Sequence, residues 1–338
     1  MHLQSKLKAQ ELHLRRMVAT AVFLAISLVL RMTVAGYIPL FGANGTRVGI
    51  HGVFTIMPAI LFGPWYGAIA SGLGDFLGFV LRPMGGQWLW QMTIVMTIGG
   101  FVRGWVWRML RGRSSVGTRA VVIGFTLAFI AFGTISMIQL RQNGITHGFY
   151  DDIATPSEVD ISGMNPISRL VISRTQNTSN PSRFLSERIA EVAYAPLGAG
   201  ALGMLLLGVD LFLSKRMEKD ERYRPFLHGG SKETKKQADD GIPEKITVST
   251  RFVSILAAPW NGSIMPLALT IIAVSLLINT ANSVVLWRTI TAWQGFPFVY
   301  IWLPRAVVAL LNSVVNVFIA ALLMGVCYRQ PHMKALIE

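Results

Sequence analysis

The segment Gly63-Pro64-Trp65-Tyr66-Gly67-Ala68-Ile69-Ala70-Ser71-Gly72-Leu73-Gly74-Asp75-Phe76-Leu77-Gly78 reads as a helix made for packing inside a membrane. Pro64 suits a first helical turn, where its missing N–H is not needed. Gly63, Gly67, Ser71 and Asp75 recur every four residues, with Gly74 and Gly78 beside them. Residues four apart share a face, and a face of small side chains lets two helix backbones approach closely. In lipid that packing replaces the missing hydrophobic drive. Measured from Gly63 at 1.5 Å per residue, Asp75 lies about 18 Å into the bilayer, slightly past its midplane. A carboxylate there costs roughly 2.5–3.5 kcal/mol on insertion scales, so it pairs with a partner or lines a cavity.

The surrounding chain is equally apolar. Hydrophobic residues make up 52% of 338 and charged residues 14%, against about 25% charged in soluble domains. The apolar residues gather into runs of about 20, the length that crosses a hydrocarbon core. Upstream, the spacing predicts spans at about 17–37, a retained helix with no cleavage site after it, and 48–62, joined by a glycine-rich loop. The third span is 65–81 and the fourth 88–110, and the arginine-rich stretch from Arg103 to Arg119 reads as an inside loop. Further spans are expected at 120–140, 189–213, 264–287 and 297–327, with a short interfacial segment at 252–260.

Charge sets the orientation. The net charge is +14, but the lysines fall in residues 6–8, 215–245 and 334, which eight crossings place on one side. This is the positive-inside pattern, with both termini cytoplasmic. Nucleic acid is not an expected partner, because no folded domain carries a basic face. The polar stretch 141–188 reads as an outer loop and 214–250 as a cytoplasmic linker. A single cysteine, Cys327, excludes an internal disulfide and a multi-thiolate metal site. No phosphate-binding loop, HExxH pair or G-x-S-x-G turn is present, so neither ATP hydrolysis nor metal or nucleophilic catalysis is expected, and no cofactor.

Arg31 and Arg305 also interrupt apolar runs, and with Asp75 they fall in the outer half or near the midplane. The polar and aromatic residues Gln87, Trp88, Trp90, Gln91, Asn279, Asn282, Trp287 and Arg288 belong to the same half. A one-sided cup suits capture of an external ligand. Arginines match carboxylates, tryptophans offer stacking faces, and amides bond the edge of a heterocycle.

Arg47-Val48-Gly49-Ile50, the string Pro58 to Gly67 and Gly74-Asp75-Phe76-Leu77-Gly78 resemble the second and third helices of energy-coupling factor (ECF) transporter S components. Ala21-Val22-Phe23-Leu24-Ala25 resembles the alanine motif by which such subunits dock, placing Ala21 and Ala25 at the docking face. Leu303-Pro304-Arg305 is similar to the last helix of the folate-type branch. The resemblance implies an all-α polytopic membrane protein with a six-helix bundle. It also implies a vitamin bound at the outer face, a gating loop after the first helix, and a T subunit and ATPase subunits on other chains. Arg31, Arg47 and Arg305 would hold a folate-like carboxylate, Trp88 or Trp90 would stack on the ring, and Gln87, Gln91 and Asn282 would bond its edge. Asp75 would read ring N–H groups or pair with an arginine. Residues 1–112 and 262–338 would form the S-component-like part in the cell membrane, and residues 113–261 an inserted two-helix hairpin that brings the spans to eight. A different vitamin, a modified nucleobase or a scaffold role are the alternatives.

Overall fold

The computed structural model describes residues 2–34, 36–40, 43–81, 88–111, 115–142, 162–163, 194–219, 263–290 and 298–337. The expected interfacial segment, Gln87, and almost all of the outer loop and cytoplasmic linker lie outside these residues. The protein is a polytopic helical membrane protein. Two compact units are present, residues 1–118 with 208–338 and residues 119–207.

Helix α1 (His2–Thr33) is 32 residues long. It buries only a narrow stripe, Thr20, Leu24 and Ser27, at spacings of four and three. Val18, Ala21, Val22, Ala25 and Val29 are exposed on the other side. The helix stops at Thr33, short of the expected Tyr37, because the next residues pair as strands. Strand β1 (Gly36–Leu40) runs antiparallel to β2 (Ala43–Val48), with Tyr37 opposite Arg47 and an irregularity between Ile38 and Leu40. Pairing satisfies the backbone groups that face each other across the two strands. The expected loop is therefore a paired ribbon, a short addition to a chain whose other described elements are all helices.

The hairpin shortens the next helix. Helix α2 (His51–Leu61) has 11 residues, about 16 Å of rise, half of what a bilayer core needs. It ends where the Phe62 and Gly63 amides both donate to the Pro58 carbonyl oxygen, at 3.0 and 3.2 Å. Gly63 sits at φ 109, a left-handed conformation that glycine adopts without strain. Helix α3 (Pro64–Leu81) then turns back, and α4 (Trp90–Leu110) packs along it. The two backbones touch. A Cβ at Gly67 would lie 2.6 Å from the Gly100 carbonyl oxygen and 2.5 Å from the Ala59 Cβ, and one at Gly104 would lie 2.6 Å from the Pro64 nitrogen.

Helix α5 (Ser115–Gln142) and α6 (Ala195–Lys219) follow. Within the smaller unit they meet through small residues, Gly200 facing Ile130 and Gly203 facing Thr126. Outward they show Ile123, Phe125, Leu127, Met204 and Leu205. Helices α7 (Met265–Thr289) and α8 (Phe298–Arg329) complete the larger unit, with a short α9 (Pro331–Ile337). Helix α7 packs on both α8 and α4. The segments around Arg16 and Leu336 lie at one end of this unit, since the Arg16 Nε donates to the Leu336 carbonyl oxygen at 2.7 Å.

Four described helices are long and apolar enough to cross a membrane, within residues 9–33, 116–139, 265–289 and 308–328. Helices α3 and α4 have the length, at 18 and 21 residues. They fall short in hydropathy, carrying glycines, Asp75 and two arginines within their sequences.

Candidate functional site

The first turns of α4 connect three helices. On its α3 side, Thr93 Oγ1 donates to Asp75 Oδ2 at 2.9 Å, and the Trp88 indole N–H donates to Thr93 Oγ1 at 3.2 Å. The Trp88 ring meets Phe76 edge to face, with centroids 5.3 Å apart. Asp75 and Trp88 are thus joined through Thr93, a residue that the sequence pattern does not single out. Its one signal is a hydroxyl on the outer turn of the neighbouring helix. The half-buried Asp75 takes this hydroxyl and no arginine as its partner among the described residues.

On its α7 side, α4 sets Met96 against Asn282, whose Nδ2 lies 3.8 Å from the sulfur. Asn282 Oδ1 and Gln91 Oε1 are both buried without a hydrogen-bond partner. A buried amide oxygen left unmatched is expensive, and each such group asks for an explanation. Gln91 lies two residues from Thr93 and Asn282 lies opposite Met96, so both fall toward the end marked by Asp75 and Trp88. An apolar cluster of Leu89, Met92, Leu286, Trp287, Ile290 and Ile301 lies beside them.

The other expected site residues are spread around this centre. Arg31 lies on the α1 side of α3, where its Nη1 donates to the Gly74 carbonyl oxygen at 2.7 Å and its guanidinium covers Gly78. Arg305 is buried between α8 and α7, its Nε donating to Ser283 Oγ at 3.1 Å. Close by, the Trp302 indole N–H donates to Thr280 Oγ1 at 2.8 Å. Arg47 is placed by register alone, opposite Tyr37 on the hairpin. Trp90 is 56% exposed and turned from the centre. Ala21 and Ala25 lie on the bare face of α1, while Gly63, Gly67, Ser71, Gly74 and Gly78 lie at helix contacts.

Buried polarity is not confined to the end of the bundle marked by Asp75 and Trp88. Arg103 belongs to the body of α4 and is 6% exposed, with Nη2 3.4 Å from Ser275 Oγ. By sequence it reads into an inside loop because four further arginines follow it as far as Arg119. Asp210, fully buried near the end of α6, accepts from Ser263 Oγ and from the Ile264 amide, both at 2.9 Å. With Ser263 accepting from the Met265 amide at 3.2 Å, this caps the start of α7, whose amides lack intrahelical partners. The described residues hold no cluster of His, Cys, Asp or Glu able to bind a metal.

The larger unit is therefore a helical membrane bundle with a polar, aromatic-flanked centre at one end. Residues 11–157 match the family model described as ECF-type riboflavin transporter, S component. The match covers less than half of the chain and supports an ECF S component, a transporter subunit. No curated protein and no solved structure gives a significant match.

Proposed function

We propose that this chain is the substrate-capturing S component of an ECF-type importer and that its ligand is riboflavin or a closely similar flavin. The observation that carries this reading is the pair of buried, unmatched acceptors Gln91 Oε1 and Asn282 Oδ1, with Asp75 nearby. These would accept from a heterocycle's N–H, while the amide nitrogens bond its carbonyl groups. Trp88 is 44% exposed and free to cover a flat ring. The match of residues 11–157 to a model named for riboflavin agrees in ligand class.

In this reading the chain lies in the cell membrane with both termini cytoplasmic and spans it eight times, six core helices plus a hairpin within residues 113–261. The common end of the Arg16 and Leu336 segments favours that topology. The hairpin at residues 36–48 would gate the ligand. Residues Ala21 and Ala25, exposed on α1, would dock on a T subunit that ATPases on other chains drive. The chain itself would perform no chemistry. A folate-like ligand is the second reading, favoured by the buried Arg305 and by Arg31, whose guanidinium groups would take its carboxylates.

Quenching of flavin fluorescence by the purified chain tests this, with calorimetry of folate, thiamine and biotin in parallel. Saturable quenching by riboflavin is expected. Binding of folate alone would transfer the site to the second reading, and no binding by any of the four would end the vitamin-capture reading.

A further inference from the structure

We propose that Arg103 and Asn279 form a second site, for a small oxyanion such as phosphate or a carboxylate, inside the α4–α7 seam and one to two turns along α7 from Asn282. Arg103 is 6% exposed, and a guanidinium carries five N–H donors. Among the described residues it makes one bond, the 3.4 Å contact with Ser275 Oγ, and its Nε has no partner. On the facing helix Asn279, one turn from Ser275 and 8% exposed, has its Nδ2 buried without a partner. Two adjacent helices thus turn unmatched donors and a full positive charge inward, with no carboxylate bonded to Arg103 among the described residues.

Arg31 and Arg16 each donate to a carbonyl oxygen at 2.7 Å, and Arg305 donates to Ser283 Oγ at 3.1 Å. An unpaired buried charge is the arrangement that proteins avoid most strongly, since desolvation is not offset. A planar fork of donors, with an amide N–H one turn along the facing helix, matches an oxyanion that accepts two parallel bonds. Arg103 lies seven residues from Leu110, about 10 Å from that end of α4, within reach of a solute from the side that the proposed topology makes cytoplasmic. A lipid headgroup fits less well, because the guanidinium faces α7 and not the outside of the bundle.

The test uses the full chain in neutral detergent, without vitamin, with inorganic phosphate as the probe and sodium chloride at matched ionic strength as the reference. Phosphate at about a hundred times its Kd should raise the melting temperature by about 5 °C. Arg103→Met should abolish this response, and Arg111→Met, at an exposed arginine, should retain it. Asn279→Asp supplies an internal carboxylate in nearly the same volume. It should raise the melting temperature of the phosphate-free chain and remove the phosphate response. The proposal is overturned if the native chain shows no phosphate response, or if Arg103→Met and Asn279→Asp both respond as the native chain does. A shift produced only by phosphatidylglycerol in nanodiscs would also overturn it.

Discussion

Helix α4 makes two contacts of opposite character. Against α3 it is clamped through glycine, with Gly67 touching Gly100 and Gly104 lying on Pro64, so closely that no side chain fits between. Against α7 it leaves Arg103, and across from it Asn279 and Asn282, with buried polar atoms that no described residue satisfies. The first contact leaves one buried hydroxyl, Ser71 Oγ, without a partner, and the second leaves several polar atoms so. A transporter subunit has reason to keep both in one helix. The rigid side holds Asp75 and Trp88 at fixed positions, while the polar side is completed by what binds there.

The sharpest way to break this contrast is to fill the clamp. Gly67→Leu would drive side-chain atoms into the Ala59 Cβ and the Gly100 carbonyl oxygen. Overpacking commonly costs 1–3 kcal/mol, and here the obstacle is backbone, so about 3 kcal/mol or more is expected. The measurement is recovery of monodisperse protein after extraction. A well-behaved Gly67→Leu chain would show that the α3–α4 contact is looser than these distances imply.

Next in size is Asp210→Ala, which removes the cap from α7 and leaves Ser263 and the Ile264 amide buried without their acceptor. A loss of about 2 kcal/mol is expected, seen as a lower melting temperature. Asp210→Asn keeps an oxygen acceptor and should recover part of it. If both variants melt like the native chain, α7 does not depend on this carboxylate, and the polar seam has lost one reason for its fixed position.

A smaller effect is expected at the join between the two contacts. Asp75→Asn keeps the shape and can still accept from Thr93, so the ligand-free chain should melt unchanged. Riboflavin affinity should fall about tenfold, or 1.4 kcal/mol, if the carboxylate reads a ring N–H. Unchanged affinity would confine Asp75 to holding Thr93 and Trp88 in place.

The two contacts also differ in how far the sequence foretells them. The four-residue spacing of Gly63, Gly67 and Ser71 is enough by itself to announce a packing face, because small residues at helical period have few other uses in lipid. The seam is less legible, since its content depends on which helix lies opposite. Asn282 stands out as polar in an apolar run, but nothing in the chain says that it faces Met96. Arg103 is hidden by the arginines that follow it, and Asp210 by the lysine-rich segment beginning at Lys215. The hairpin at 36–48 is obscured because Gly36, Pro39, Gly42 and Gly45 read as a loop. Its strands are specified by pairing with each other and not by a run of apolar residues.

The smallest expected change is the most discriminating. Gln91→Leu removes a buried acceptor that the ligand-free protein does not use. Deleting a satisfied hydrogen bond lowers stability, whereas deleting an unsatisfied polar group leaves it unchanged or slightly higher. The ligand-free chain should therefore melt within about 1 °C of the native one, or above it, while riboflavin binding weakens. Thr93→Val, on the clamped side, should behave oppositely, because Thr93 both donates to Asp75 and accepts from Trp88. Removing its hydroxyl strands both partners and should lower the melting temperature even without ligand. If the two variants shift stability alike, the distinction between satisfied and unsatisfied polar groups on α4 fails. Gln91 would then be an ordinary packing residue, and the ligand would have to be sought elsewhere in the bundle.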